Sequence, residues 1–313
     1  MLVSDLRIYP IKSLGGISVS EALVDEKGFR YDRRFMLVTP AGNFITQRTN
    51  HPMALIDVAL DRVNGVEDDD PANTLRVWHR NRPDNVLTLP LIPSPEALGE
   101  TLPVSIWDSE NVAAALVSDE ADRWFSETLG ISCRLVFMPD STRRTVEPAY
   151  ARSDQHGRLS AVSFADGYPY LLIGQSSLDD LNQRLPKPVG MERFRPSIVI
   201  SGSLPHDEDG WQQFRIGATT FYGVKPCSRC VLTTIDPATG QKAANRFIHW
   251  LRIANGNTKF CLVRTSSPTL RARVFFCASD NPWRLSAALL RGWHHRTGFD
   301  EEPCQTGGLI NSA

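Results

Sequence analysis

Residues 32–48 read DRRFMLVTPAGNFITQR, and this stretch decides the fold class of the chain. Phe35 and Leu37 alternate with their neighbours before the turn residues Pro-Ala-Gly-Asn, and Phe44 and Thr46 alternate after them. Alternation with a period of two, interrupted by a loop that contains glycine, is typical of a β-hairpin. The stretch therefore predicts two antiparallel strands.

Similar short apolar runs, separated by turn residues, continue on both sides of this hairpin up to about residue 110. They are LRIYPI, ISVSEALV, MALIDVAL, TLRVWHR, VLTLPL and PVSIW. Runs of this kind predict a β-rich first domain, either a barrel or a sandwich.

Helical periodicity begins at Ser118. Apolar residues at positions 121, 124, 125 and 129 share one helical face, Ser118 or Asp119 can cap the start, and Gly130 suits the C-terminal cap. The segment SSLDDLNQRLPKP, residues 176–188, repeats these features with Ser177 as the capping residue and Pro186 as the stop. Strand-like runs lie between and after the helices, so the predicted class is β-rich α+β. These runs are CRLVFM, PYLLIG, PSIVISGS, QFRIGATTFYGV and CVLTTID.

The composition limits the class of protein. The 313 residues are 42% hydrophobic and 22% charged with a net charge of −1, which is the range of soluble globular proteins with one large or two modest domains. The balance excludes a disordered chain and disfavours nucleic acid as a partner. No apolar run approaches the roughly 18 residues of a membrane span, and the N-terminus lacks the pattern of a signal peptide. We expect a cytoplasmic protein that is not bound to a membrane.

The cysteines point to one segment. The chain has six cysteines, and two of them form the pair Cys227 and Cys230 in VKPCSRCVLTTID. Lys225 and Arg229 lie beside them, and positive charge favours the thiolate, which is the form that binds metals. The residues alone leave three interpretations of this pair open. They are a zinc site, a redox-active pair, and two small buried side chains.

Further segments accompany this pair, in the order RIYPIKSLGGISV, DRRF, FITQR, SFADGYPYLLI, RFRPSIVISG and VKPCSRCVLTTIDPATGQK. Together they resemble the MOSC family with its N-terminal β-barrel domain, and most closely the mitochondrial amidoxime-reducing component and the bacterial YcbX-type reductase. The resemblance covers residues 1–245. It implies a molybdenum cofactor, in which a pterin dithiolene and one protein cysteine bind the metal, and the two-electron reduction of N-hydroxylated compounds.

The resemblance also implies which residues form the site. Cys230 is the implied molybdenum ligand, with Cys227 as a neighbour only. Asp166 in FADGYP corresponds to a position near the metal, where it would orient cofactor or substrate and is a candidate proton donor. The anionic end of the pterin needs cationic and hydroxyl side chains. The residues implied for this role are Lys12, Ser13, Arg33, Arg48, Arg195, Ser197, Ser228 and Arg229.

Ser197 departs from the family pattern. The family usually has RFRPN, and this chain has RFRPS. An asparagine amide donates and accepts hydrogen bonds at once with a longer reach than a hydroxyl. We therefore expect the pterin to be positioned more weakly at this point, without loss of binding.

Residues 246–313 form a tail that differs from the rest of the chain. They carry 9 Lys and Arg against 4 Asp and Glu, whereas residues 1–245 carry 25 against 31. The family's segments after DPATGQK are absent from the tail, but a shifted reading of hypothetical codons spells PLHTLASYR and then VLFGQNL. The tail is therefore interpreted as a frameshift product, with the last barrel strands missing and poor order.

The resemblance implies two domains and one principal function. Residues 1–120 are expected to form the N-terminal β-barrel domain and residues 121–245 a truncated MOSC domain. The implied activity is reduction of amidoximes and N-hydroxylated bases, with electrons from a separate protein, because the cysteine spacing of a plant-type [2Fe–2S] cluster is absent. Two alternatives remain open, a sulfur or cofactor carrier with a persulfide on Cys230, and an inactive remnant.

Overall fold

The computed structural model describes residues 1–63, 67, 70–147, 151, 159–217, 219–224, 227, 230–243 and 272–275. Strands dominate this part of the chain, which holds two α-helices, so the prediction of a β-rich α+β fold is confirmed. The helices are α1 (Asp119–Leu129) and α2 (Gln175–Gln183). The strands are β1 (Leu2–Ile8), β2 (Ile17–Ser18), β3 (Glu21–Asp25), β4 (Gly28–Phe29), β5 (Phe35–Val38), β6 (Ile56–Asp61), β7 (Thr74–His79), β8 (Arg82–Pro90), β9 (Thr101–Ile106), β10 (Ser109–Leu116), β11 (Arg134–Phe137), β12 (Leu172–Gly174), β13 (Ile198–Ser201), β14 (Gln213–Ile216), β15 (Thr219–Tyr222) and β16 (Ala272–Phe275).

These strands form small sheets that are almost entirely antiparallel. Two four-stranded sheets have the orders β12-β13-β1-β2 and β5-β11-β10-β9, and only β12 and β13 within them run parallel. The remaining sheets have the orders β6-β7-β8, β16-β3-β4 and β14-β15. Antiparallel neighbours joined by short turns are the arrangement that the alternating runs of the sequence favour.

Both four-stranded sheets join a strand from the first 40 residues to strands that follow helix α1. Strand β1 pairs with β13, with Leu6 opposite Ile198, and strand β5 pairs with β11, with Phe35 opposite Phe137. Leu6, Ile198 and Phe35 are at most 1% exposed and belong to one apolar cluster. Segments near residues 12, 33, 166 and 195 are therefore held close together by a shared core.

The turn predicted within residues 32–48 forms, but only its first arm, β5, is a strand; the second arm meets it through an isolated bridge between Val38 and Phe44. The Ile45 amide donates to the carbonyl of Leu37 at 2.8 Å, and the Thr39 amide donates to the carbonyl of Asn43 at 2.8 Å. Gly42 has a φ of +83°, a left-handed conformation that side chains other than glycine rarely adopt. The glycine in the loop is thus what allows the chain to reverse.

Helix α1 confirms the caps read from the sequence. The Ser118 hydroxyl accepts a hydrogen bond from the Ala121 amide at 3.1 Å, and Gly130 closes the helix with a φ of +67°. Ala121 and Phe125 are completely buried on the apolar face. The helix packs next to β11, which carries the chain back into the sheet.

The predicted serine cap of α2 is wrong, whereas the helix does end before Pro186 as predicted. The helix begins at Gln175 and ends at Gln183, ahead of Pro186, and no side chain caps its first turn. Ser177 lies inside the helix, 2% exposed, and its hydroxyl donates to Glu208 Oε2 at 2.9 Å. A distant buried carboxylate therefore takes the hydroxyl that the sequence pattern assigns to a cap.

The strand predicted for CVLTTID is also wrong. Val231–Thr234 is a 3₁₀ turn that begins directly after Cys230. The hydroxyls of Thr233 and Thr234 donate to the carbonyls of Cys230 and Val231 at 3.0 and 2.6 Å. Such local bonds from threonine to its own backbone compete with the ladder of a sheet, although the residues themselves favour strands.

Across the described ranges, no helix combines the length and the apolar character needed to cross a membrane.

Candidate functional site

Tyr9 lies between two guanidinium groups directly after strand β1. The guanidinium carbon of Arg33 is 4.5 Å from the centre of the Tyr9 ring, and that of Arg195 is 4.1 Å from it. The Tyr9 hydroxyl donates to the carbonyl of Pro196 at 3.2 Å. We call this group of three residues the Tyr9 stack, and it combines two of the residues implied by the sequence.

Asp32 anchors one side of the Tyr9 stack. Its side chain, 1% exposed, pairs with the Arg33 guanidinium and accepts a hydrogen bond from the Tyr9 amide at 2.7 Å. Burial removes hydration from the carboxylate and raises the pKa of Asp32, although the cationic neighbours oppose this. Asp32 therefore fixes Arg33 and balances one of the two guanidinium charges of the stack.

Asp166 forms a second group with residues from three other segments. Lys12 Nζ pairs with Asp166 Oδ1 and also donates to the carbonyl of Phe164 at 2.8 Å. Arg48 Nη2 donates to Asp166 Oδ2 at 2.9 Å, and Trp107 Nε1 donates to Oδ1 at 3.1 Å. We call Asp166, Lys12, Arg48 and Trp107 the Asp166 cluster.

Arg144 binds the backbone of the loop that carries Asp166. Its guanidinium donates to the carbonyls of Ser163, Ala165 and Asp166 at 2.9, 2.6 and 2.7 Å. Arg144 is 6% exposed, so these bonds fix the backbone of the loop that carries Asp166. Arg144 was not expected from the sequence, because the Arg143-Arg144 pair between β11 and β12 matches no motif.

The charges of the Asp166 cluster shift the pKa values of its members. Burial is the main cause that lowers the pKa of Lys12 to about 8; the charges of Arg144 and Arg33 add to the shift and Asp166 opposes it. Loss of hydration would raise the pKa of Asp166, but Lys12 and Arg48 bring it well below its usual range. Asp166 is therefore ionised near neutral pH and acts there as a hydrogen-bond acceptor.

The two groups are close enough to influence each other. The charge of Asp166 acts on both Arg33 and Arg195, and the Phe164 amide donates to the carbonyl of Arg33 at 3.0 Å. Burial lowers the pKa of Arg195 to about 10. Arg195 Nη1 donates to the carbonyl of Leu14 at 2.6 Å, but its buried Nη2 has no hydrogen-bond partner in the described part of the chain. A buried donor of this kind is costly unless something accepts its hydrogen bond.

Three of the implied site residues adopt left-handed backbone conformations. The φ angles are +69° at Ser13, +49° at Arg33 and +55° at Arg195. Such angles are uncommon for residues with a side chain and concentrate at functional sites, where the surrounding structure holds them. Sequence patterns cannot reveal them, because glycine is absent from all three positions.

Ser197 lies at the start of strand β13 and is 1% exposed. Its amide donates to the carbonyl of Leu171 at 2.8 Å, and its hydroxyl is 3.4 Å from the Leu171 amide. The hydroxyl bond is long, so this side chain is weakly engaged within the described protein.

Cys230 is partly exposed at the beginning of the 3₁₀ turn Val231–Thr234. This turn contacts a second 3₁₀ turn, Met191–Phe194, whose next residue is Arg195. Arg193 Nη2 donates to Asp236 Oδ2 at 2.8 Å and ties the two turns together. The structure therefore links the segment of Cys230 to the segment of the Tyr9 stack, while Cys227 packs against the apolar residues around α2.

Two further predicted residues, Ser228 and Arg229, lie outside the described residues, as does Lys225. The described ranges contain no group of three or more His, Cys, Asp or Glu side chains that could hold a metal ion. Tyr9 and Trp107 complete the site although the sequence did not predict them. Tyr9 adjoins the YPIKS motif and could have been included on that ground, whereas Trp107 has no such indication.

Two family models match most of the chain. The family model described as the MOSC N-terminal beta barrel domain matches residues 1–132, and the MOSC domain model matches residues 160–265. Mitochondrial amidoxime reducing component 2 of Rattus norvegicus is 35% identical over 244 residues, which are 76% of this chain and 68% of the relative. This chain belongs to the MOSC family. The family recognised from the motifs, and the N-terminal β-barrel domain, are thereby confirmed.

Other members of the MOSC family are similar over the same part of the chain. Mitochondrial amidoxime-reducing component 1 of Mus musculus is 35% identical over 247 residues, which are 76% of this chain and 66% of the relative. Molybdenum cofactor sulfurase of Oryza sativa subsp. japonica is 31% identical over 244 residues, 75% of this chain and 28% of the relative. The chain thus spans about two thirds of the amidoxime-reducing components and a smaller part of the sulfurase.

Proposed function

We propose that this member of the MOSC family is a molybdenum-cofactor-dependent oxidoreductase that reduces N-hydroxylated compounds such as amidoximes and N-hydroxylated bases. Support comes from its similarity to relatives named as amidoxime-reducing components. One observation carries the proposal, the excess of cationic charge at the site. Four cationic side chains face the carboxylates of Asp32 and Asp166. They are Lys12, Arg33, Arg48 and Arg195.

The residues present fit an anionic cofactor. Buried cations without matching carboxylates are costly, and a phosphate offers oxygen acceptors in the geometry that guanidinium groups prefer. The unpartnered Nη2 of Arg195 is a donor suited to such an oxygen. Lys12, Arg33 and Arg195 are therefore proposed to hold the phosphate end of the pterin. Ser13 and Ser197, which lie in the same motifs as Lys12 and Arg195, are proposed to contribute their hydroxyls.

The remaining roles follow from the chemistry of each side chain. Cys230 is the proposed metal ligand, because a thiolate is a strong ligand for a transition metal and this thiol is partly exposed. Ser228 and Arg229 are proposed to contact the cofactor beside it. Asp166 is proposed to orient cofactor or substrate by accepting hydrogen bonds, since its lowered pKa keeps it ionised near neutral pH.

When bound, the molybdenum cofactor supplies the two-electron chemistry that removes oxygen from an N–OH group. The overall reaction consumes two electrons and two protons and releases water together with the reduced nitrogen compound. A separate electron-donor protein is the proposed source of the electrons. Asp166 lacks a proton to give at neutral pH, so its part in the reaction is to hold neighbouring groups in place.

The decisive experiment compares two cysteine variants from a host rich in molybdenum. We expect Cys230→Ser to lose the metal and the reduction of benzamidoxime by reduced methyl viologen, while Cys227→Ser keeps both. The control is matched, because both cysteines are partly exposed and lie three positions apart. A molybdenum content that is the same in Cys230→Ser and in the parent would refute the ligand assignment.

A second function is favoured by the similarity to the molybdenum cofactor sulfurase. In that case the chain is a carrier of sulfur or cofactor, with a persulfide on Cys230 and no turnover of an external substrate. Elemental analysis separates the two functions. A carrier of sulfur lacks stoichiometric molybdenum and loses one sulfur atom per chain on treatment with a thiol reductant, whereas the proposed reductase retains its metal.

A further inference from the structure

Trp107 occupies an unusual position at the edge of the Asp166 cluster. It lies in the turn between β9 and β10, has a φ of +50° and is 40% exposed. A left-handed backbone is unfavourable for a bulky residue, so the neighbouring contacts must hold it. Solvent-facing tryptophan in a strained turn is uncommon where packing is the only role of the ring.

Three contacts fix the indole ring of Trp107. Its N–H donates to Asp166 Oδ1 at 3.1 Å, and the guanidinium carbon of Arg48 is 4.1 Å from the ring centre. The ring of Phe44 meets it at 4.8 Å with an interplanar angle of 60°, an edge contact. Arg48 therefore lies over the ring and Phe44 makes an edge contact with it, while Trp107 remains 40% exposed to solvent.

We propose that the exposed part of the Trp107 ring is a stacking subsite for the planar aromatic part of a neutral N-hydroxylated substrate. The inference rests on the proposed function and narrows its substrate class. The carboxylate of Asp166 is 52% exposed beside the ring and can accept a hydrogen bond from the N–H or O–H of the bound group. Aromatic rings stack on an indole face with little loss of conformational freedom.

The charges around Trp107 favour a neutral ligand over a cationic one. Three cations, Lys12, Arg48 and Arg144, lie next to Asp166, and Asp108 adds a second carboxylate beside Trp107, so the net formal charge near the ring is still positive. An N-hydroxylated amidine is neutral near pH 7, whereas the amidine formed from it is protonated. The subsite therefore binds the substrate better than the product, and this difference favours release of the product.

The first test measures KM for an aromatic and an aliphatic substrate. In Trp107→Leu we expect KM for benzamidoxime to rise about five-fold, the size of a lost aromatic contact, while KM for acetamidoxime stays within about two-fold of the parent. Trp107→Phe keeps an aromatic face and should restore most of the affinity for benzamidoxime. Equal changes for both substrates, or no change for either, would overturn the subsite.

A binding test separates this inference from the proposed function. Titration with benzamidoxime should quench the tryptophan fluorescence of the parent and of Trp124→Phe, but not the remaining fluorescence of Trp107→Leu. Benzamidine, which is cationic, should bind at least several-fold more weakly. If the parent binds benzamidoxime through Trp107 but does not reduce it, the proposed function fails and the subsite stands. Binding that is absent, or that persists in Trp107→Leu, overturns the subsite whatever the activity.

Discussion

At the scale of single residues, Lys12 and Asp166 determine each other's charge. Lys12 is 5% exposed, and its pKa falls to about 8 because burial disfavours the ammonium. Asp166 opposes that shift, and its own pKa falls because Lys12 and Arg48 stabilise the carboxylate. The pair also joins the segment after β1 to the loop before β12. Removal of Asp166 therefore leaves the buried Lys12 ammonium without its main counter-charge.

We predict that Asp166→Asn lowers the free energy of unfolding by about 1 kcal/mol near pH 7, a value reduced because the carboxylate is half exposed. The folded pKa of Asp166 is depressed, so its contribution is complete above the ordinary aspartate pKa of 3.8 and is lost as the pH falls further. The Lys12 ammonium loses its proton in the folded chain above about pH 8. The difference between parent and variant should thus be largest between these two pH values.

Urea unfolding across this pH range provides the measurement. Asp108→Asn is the control, since Asp108 is an exposed carboxylate beside Trp107 in the same turn. A difference for Asp166→Asn that stays constant to pH 10 would show that Lys12 is not the main partner of the carboxylate.

The second residue prediction concerns Ser197, which departs from the family motif. We expect Ser197→Asn to retain molybdenum a few-fold longer during dialysis than the parent, because an amide adds a hydrogen bond of about 1 kcal/mol. The bond from the Leu171 amide to the serine hydroxyl is long, 3.4 Å, so little is lost if the asparagine side chain turns away from Leu171. Ser197→Ala should retain the metal less well. Retention in Ser197→Asn at or below that of the parent contradicts the prediction.

The sequence predicted several of these residues but not how they are held. Lys12, Arg33, Arg48, Asp166 and Arg195 were assigned through motifs, and the structure brings them together in two neighbouring groups. The roles of these five residues in binding cofactor and substrate stay predictions. The left-handed angles and the ring contacts of Tyr9 and Trp107 depend on strand pairing between distant segments, which no local pattern contains.

At the scale of elements, the two 3₁₀ turns control how the segment of Cys230 meets the segment of Arg195. Met191–Phe194 and Val231–Thr234 contact each other, and Arg193 and Asp236 pair across them at 2.8 Å. Phe194 and Thr234 are at most 4% exposed, so the contact is well packed. Helix α1 could be predicted because its caps are local, whereas the turn after Cys230 depends on threonine hydroxyl bonds that override a strand-favouring composition.

We predict that Arg193→Met weakens molybdenum retention about five-fold through the loss of about 1 kcal/mol from the partly exposed pair with Asp236. Arg193 itself is not proposed to contact the cofactor, so its effect would be one of position. The measurement is the metal-to-protein ratio after gel filtration at increasing dilution. Glu192→Gln, an exposed neighbour in the same turn, should behave like the parent. Equal molybdenum retention in Arg193→Met and Glu192→Gln would show that the pair of Arg193 and Asp236 does not help to hold the cofactor.

At the scale of the whole molecule, two strand pairs join residues on either side of position 120, where the sequence predicts a boundary between two domains. Strand β1 pairs with β13 and strand β5 pairs with β11, and a common apolar cluster includes Leu6, Phe125 and Ile198. The apolar runs predicted most of the individual strands, with CVLTTID as an exception. They could not predict these partners, because antiparallel pairing between distant segments depends on the whole chain.

The shared sheets predict that the two halves unfold together. Leu6 is completely buried opposite Ile198, so Leu6→Ala should lower the free energy of unfolding by about 2–5 kcal/mol. Amide hydrogen exchange should then accelerate equally in β7 and in β12, which lie on opposite sides of residue 120. Leu204→Ala is the matched control, since Leu204 is 72% exposed and its truncation should change neither strand. Faster exchange in only one of the two strands would instead mean that the halves are independent domains, each stable without the pairing of β1 with β13.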